Sequence, residues 1–302
     1  VQNARRDAFR IQDSTDCLFE NNVVHDCTAS METSGIRLRL ACSRMTVRGN
    51  EIYTCSRGIV CAASGNDIVI EGNYVHDLDE GVATETGISV IGIPASICNN
   101  VVARCDGTGI EAAAADLLVE GNVVFNCGRV LATNGFAIGN QSNVVARRNV
   151  SFNNAGHGFF GLGETGEHNV AFGNGAAGVW VRGTQILRNN IAFRNNQDGG
   201  FSDIDGPGTV DSDANFWADG VFPAGEGANS LSGDPGLVLP PAAGAALDPD
   251  DPGFEIDPTD SGFGDVSDWF GLLALSPAVD AGVDVGLPFN GAAPDMGAFE
   301  RD

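Results

Sequence analysis

Apolar residues along this chain come in short runs bounded by Gly, Asn or Asp, and three kinds of run recur in a fixed order. One follows an Asn: "NVVHDC" from Asn22, "NVVARC" from Asn100, "NVVFNC" from Asn122. A second opens on Gly: "GIRLRL" from Gly35, "GISVIG" from Gly87, "GFFGLG" from Gly158, "GVWVRG" from Gly178. A third, such as "DIVI", "DLLV" or "QIL", leads back into the next Asn. The runs are β-branched, Gly-punctuated and too short for 3.6-residue periodicity, so each reads as a strand.

The Asn recurs at 22, 50, 73, 100, 122, 149, 169, 190 and 215, at intervals of 28, 23, 27, 22, 27, 20, 21 and 25 residues. Three strands per interval make one coil of a parallel β-solenoid, an all-β fold whose coils stack at about 4.8 Å. Equivalent Asn residues then face one another along the stack, where the amide can take a left-handed bend and bond to its neighbour. That makes the Asn architecture rather than chemistry. Crossovers between parallel strands favour a right-handed wind.

Alternation in "GIRLRL" puts Ile36, Leu38 and Leu40 inside and Arg37 and Arg39 outside, and in "GVWVRG" it puts Trp180 and Arg182 outside. The run after the Asn does not declare its parity. Its third position reads His25, Tyr53, His76, Ala103, Phe125, Phe152, Phe172, Phe193. Facing in, this column is an aromatic core stack; facing out, it is a ladder on which sugar rings could stack. Adjacent strand residues point opposite ways, so His25-Asp26 and His76-Asp77 are not expected to form dyads.

The 302 residues carry a formal charge of −24, and all 16 basic residues are Arg. Such a surface repels phosphate backbones and argues against a nucleic-acid partner. It also handicaps a polyanionic glycan unless local Arg or bound cations reverse the sign. No apolar run approaches the roughly 20 residues of a spanning helix, and the opening residues show no basic-then-apolar leader. All eight Cys fall between Cys17 and Cys127, with no CxxC spacing. In one column they offer either Cys27–Cys55 and Cys105–Cys127 bridges or a ladder of buried thiols.

The period dissolves after Asn215, dividing the chain into coils over 1–217 and a loop-rich acidic segment with a cap over 218–302. Asp248, Asp250, Asp251 and Asp257 are candidate calcium ligands without EF-hand spacing, or else a solvated acidic loop. The segment Ser276–Glu300 is expected to close the last coil, because an open solenoid end needs cover.

"GDPGLV" (Gly233–Val238), "SPAVDAG" (Ser276–Gly282) and "PDMGAFE" (Pro294–Glu300) together resemble the C-terminal pattern of secreted bacterial right-handed parallel β-helix proteins of the choice-of-anchor Q type. The resemblance spans essentially the whole chain and implies an exported or cell-surface protein. It leaves activity open, since the wider pectate-lyase-like superfamily includes lyases, hydrolases, epimerases and adhesins.

A uronate lyase needs a positive group for the carboxylate and a base near the sugar C5. With no Lys in the chain, Arg37, Arg39, Tyr53, His76, Arg104 and Arg129 are the catalytic candidates. An Arg ionises too high to be a ready base, so the base falls to His76 or Tyr53. Arg57, Glu80, Glu85, Glu111 and Trp180 are candidates for substrate contact. Bulges at Thr28–Ser34, Asp79–Thr86 and Gly128–Asn134, on alternate coils, would wall one side of a groove. "GHGFFG" resembles the Gly-His-Gly element of polygalacturonases, but the acidic elements of that family are missing, which leaves His157 a turn residue. No repeated Thr face supports ice binding. Two readings remain: a polysaccharide-binding or polysaccharide-processing protein, as an enzyme more a lyase than a glycosidase, and a non-catalytic surface or matrix protein able to stack end to end. An outward cluster of Arg, Tyr or His in one groove favours the enzyme.

Overall fold

The protein was analysed as a computed structural model, which describes residues 7–28, 33–78, 86–130, 132–196, 199–239 and 269–301. Within these the chain forms 27 strands in three nine-stranded sheets. Sheet A takes the runs after the Asn, from Val23–Cys27 to Phe216–Trp217; sheet B takes the Gly runs, from Phe9–Gln12 to Ile204–Asp205; sheet C takes the third runs, from Leu18–Glu20 to Thr209–Asp213. Every pairing within the sheets is parallel, each strand lying between its equivalents in the coils before and after.

The bore is closed by side chains. Val24, Ile52, Val75, Val102 and Val124 of sheet A meet Ile36, Ile59 and Ile88 of sheet B and Val47, Ile70 and Ile97 of sheet C, nearly all without accessible surface. Chemistry is thereby confined to the outer faces. The Gly that opens each sheet B run sits where coils crowd: a Cβ on Gly109 would lie 2.3 Å from Val124 and 2.8 Å from the Gly135 carbonyl oxygen.

At the corner between sheets C and A, the Asn side chains form a continuous ladder. Asn100 illustrates the unit: its N–H and Nδ2 both donate to Asn122 Oδ1, at 3.0 Å and 3.0 Å, while Nδ2 also donates to the Ile70 and Cys98 carbonyls. The same pattern runs from Asn22 to Asn215, where Ser230 Oγ accepts the last ladder N–H. The left-handed backbone is taken by the residue before the Asn (Asn21, Gly49, Gly72, Asn99, Gly121 and Arg148, for example) and not by the marker itself. That arrangement aims the amide inward along the stack.

The cysteine column sits at the opposite end of the sheet A strands. Cys27 and Cys55 are partners in register, and all eight cysteines are free thiols. The Cys27 thiol and burial push the Cys55 thiol up, and burial and the Cys127 thiol do the same for Cys105, so these two stay protonated. Past Cys127 the column changes chemistry. Asn154, Asn174 and Asn195 continue it as a second amide ladder, which ends on the carboxylate of Asp203.

The segment from Ser276 onward does more than meet the last coil. Phe270, Leu272, Ala278, Met296 and Ala298 pack along the outside of sheet A, against Phe125, Phe152, Phe172, Phe193 and Phe216. The open edge of the last coil is also met by Glu226 and Leu231, which bridge to Ser212 and Phe216. The physical reason is the aromatic column itself, an exposed apolar strip that needs covering more than the coil end does. His168, Asn189 and Arg148 pin the segment through Gly297, Val283 and Pro288.

Candidate functional site

The aromatic column resolves into two stretches. It faces away from the bore throughout, since the second position of each run points in. From Ala103 to Phe193 it belongs to the second core beneath the C-terminal segment. Before that, the same positions are occupied by polar rings. Tyr53 stacks between His25 and His76, with ring centroids 5.0 and 5.2 Å apart, and Tyr74 lies 3.9 Å from His76 on its other side.

Each of these histidines is bonded to the Asp that follows it: His25 Nδ1 to Asp26 at 2.9 Å and His76 Nδ1 to Asp77 at 2.6 Å. This overturns the expectation that neighbours in a strand cannot form a dyad. Asp26 and Asp77 have φ of 57° and 49°, as do their equivalents Thr54, Arg104 and Asn126 at about the same value. A left-handed residue breaks strand alternation and turns its side chain to the same face as the residue before it.

Because Arg104 occupies that position on the next coil, it faces Asp77 directly. Its Nε and Nη2 donate to the two carboxylate oxygens at 2.6 and 2.8 Å, and Nη2 also reaches the Tyr74 hydroxyl at 3.4 Å. Arg104 Nη1 is buried and has no hydrogen-bond partner among the described residues. Burial works against ionisation of Asp77, but the bonds from Arg104 and His76 outweigh it and hold the carboxyl well below the usual carboxylate range. The bond to Asp77 correspondingly pushes the Arg104 guanidinium up. Glu51 approaches His76 Nε2 at 3.4 Å. The two ring nitrogens therefore face carboxylates, Nδ1 that of Asp77 and Nε2 that of Glu51, and a phenol, Tyr53, stacks against the ring. The arrangement can accept a proton at one atom and donate one at another.

The remaining candidates lie elsewhere. Arg37 and Arg39 point outward from sheet B, Arg37 3.5 Å from Asp7. Arg57 opens the next sheet B strand, beside Ser34. Arg129 pairs with Asp106 at 3.0 Å on the turn after sheet A. Glu111 and Trp180 share one outward column of sheet B, through Ala137 and Phe160, and Glu111 accepts from Ser89 at 2.9 Å. The bulges all connect sheet A to sheet B, but Glu80, Glu85 and most of the first two bulges lie outside the described residues, as do Asp248, Asp250, Asp251 and Asp257. Among the described residues there is no group of three or more His, Cys, Asp or Glu side chains able to hold a metal, and no helix long and apolar enough to cross a membrane.

Sequence reading missed Tyr74, Glu51 and Asp77 as site members, and it named Arg104 a candidate without pairing it to Asp77. Tyr74 was legible, because it lies two residues before His76 and shares its face. The Asp77–Arg104 pair was not, since nothing local announces a left-handed Asp in mid-run.

The family described as right-handed β-helix region matches residues 1–134 and 86–198. Among curated proteins, none matches the chain. Among solved structures, the complex of XylC with xylose is similar at a TM-score of 0.53 and 13% identity, over 79% of this chain and 51% of that one. This chain therefore spans about half the length of XylC. Pectate lyase Pel9A is similar at a TM-score of 0.45 and 15% identity, over 97% of this chain and 87% of that one. The parallel pairing, the three strands per coil and the extent of the family match agree: this chain belongs to the right-handed β-helix family.

Proposed function

We propose that the protein processes an extracellular polysaccharide by β-elimination at the outer face of sheet A. The observation that carries this reading is the cluster of Tyr53, His76, Tyr74 and Arg104 on one strip, with His76 oriented by Asp77. His76 Nε2 takes the proton from C5 of a uronate. The electron pair forms the C4–C5 double bond, the C4–O bond breaks, and Tyr53 returns a proton to the departing oxygen. Arg104 supplies the positive charge at the developing enolate. Asp26, Glu51 and Asp77 make the strip acidic, so a uronate needs a compensating cation there; calcium is the natural one. The resemblance of Gly233–Val238 and Ser276–Glu300 to the choice-of-anchor Q pattern supports a secreted or surface setting, and the neighbour solved with xylose supports a glycan partner.

The test is a panel of acidic and neutral polysaccharides, with and without calcium, followed at 235 nm for unsaturated uronates and in parallel for reducing ends. Growth at 235 nm that disappears in His76→Ala and Tyr53→Phe, and persists in Arg37→Ala, supports the reading. Reducing ends alone would move the chemistry to the carboxylates Glu51 and Asp77. Silence from the folded protein across the panel would make it a non-catalytic surface protein.

A further inference from the structure

Four aromatic rings gather on the outer face near the C-terminal coils of sheet B, away from the proton-transfer strip. Trp180 and Phe160 are partners in register on adjacent strands, and alternation turns both outward while Val179 and Phe159 fill the bore. His157, from the turn before Phe159, lies 4.8 Å from Trp180 and 5.7 Å from Phe160. Phe201 stands edge-on to Trp180 and His157, at 79° and 78°, and is 37% exposed. Arg182 lies over the Phe160 ring at 4.5 Å, and Asp205 follows Trp180 in the column.

Polar groups at the rim are set for donation and acceptance. His157 Nδ1 accepts the Ala177 N–H at 3.1 Å, which fixes the hydrogen on Nε2. Burial lowers the pKa of this histidine, so it is a neutral donor at neutral pH. Its Nε2–H has no partner among the described residues. Asp205 accepts from Gly206 through one oxygen, and Arg182 carries donors at the exposed edge.

We propose that Trp180, Phe201, Phe160 and His157 form a second glycan-binding platform, which stacks the C–H face of a pyranose ring while Arg182, Asp205 and His157 meet its hydroxyls. A ring's π face is negative and the axial C–H groups of a sugar are weakly positive, so the two faces attract as well as exclude water. A protein partner is disfavoured by size. A stable protein interface takes about 800 Å² and 20–30 residues per side, whereas the column beyond this patch continues as Ala137, Glu111 and Ser89, small or polar. The inference does not rest on the lyase reading.

Affinity electrophoresis in gels containing soluble xylan, mixed-linkage β-glucan or polygalacturonate tests the platform, with circular dichroism to confirm folding. At least one glycan should retard the wild-type protein. Trp180→Ala should weaken that binding about tenfold and the more exposed Phe201→Ser severalfold, while Thr46→Ala, on the outer face of sheet C, leaves it unchanged. Equal retardation of wild type, Trp180→Ala and Phe201→Ser overturns the proposal, as does the absence of retardation by all three glycans. Binding to polygalacturonate alone that moderate salt abolishes also overturns it, since that would be charge attraction rather than stacking.

Discussion

Asp77 gains its importance from one backbone angle. At φ 49° its side chain joins His76 and Arg104 on the outer face, where a β conformation would have sent it into the bore. If the proposed elimination holds, Asp77→Asn keeps the shape but loses the acceptor that fixes the His76 tautomer. The expected result is a fall in kcat of roughly 10²-fold with KM little changed, read from initial rates at 235 nm. The ladder amides act through burial. Asn122 has no accessible surface, and its donors and its Oδ1 are all engaged. Asn122→Ala strands partners on both neighbouring coils, so a loss of about 2–4 kcal/mol is expected, measured as a lower urea midpoint.

Between neighbouring strands the controlling quantity is the space left at the crowded start of each sheet B run. Gly109 faces Val124 and the Gly135 carbonyl with no room for a methyl. Gly109→Ala should cost about 1–3 kcal/mol through overpacking, again in the urea midpoint. The same element logic explains the sheet A column. Its rings are one register series, yet Phe125 and its successors became a core only because a separate segment lies over them, while His25, Tyr53 and His76 kept polar partners.

For the whole molecule, the attachment of the C-terminal segment has a pH dependence. His168 sits beneath Gly297, donating through Nδ1 at 3.2 Å and accepting at Nε2 from Asn189 at 2.9 Å. Burial, assisted by the nearby charge of Arg148, lowers its pKa from 6.5 to about 4. Between those values the unfolded chain binds a proton that the folded chain refuses. Stability from this group is therefore complete above pH 6.5 and lost as pH falls toward 4, by on the order of 3 kcal/mol. Glu300, whose pKa burial raises, titrates in the opposite sense nearby, so the comparison must be with a variant. Hydrogen exchange of residues 278–298 should rise on acidification in the wild type and change less in His168→Gln.

The recurrent Asn, the Gly runs and their intervals determined the solenoid by themselves, because a coil is a local solution repeated and each repeat writes its turns and inward positions into the chain. Outward Arg37, Arg39, Glu111 and Trp180 were legible for the same reason, through alternation in sheet B, but Leu40, expected inside, has φ 56° and is 49% exposed because the left-handed strand end breaks that alternation. Only the tertiary structure decided which way the post-Asn column faces, since three apolar neighbours in a row carry no parity. It alone joined His76, Asp77 and Arg104, and it alone divided the column into a core under the C-terminal segment and a ladder of polar rings, of which His25 and Tyr53 are partly exposed and His76 is buried. Those outcomes depend on a left-handed backbone in mid-strand and on a segment more than a hundred residues away, neither of which leaves a period in the sequence.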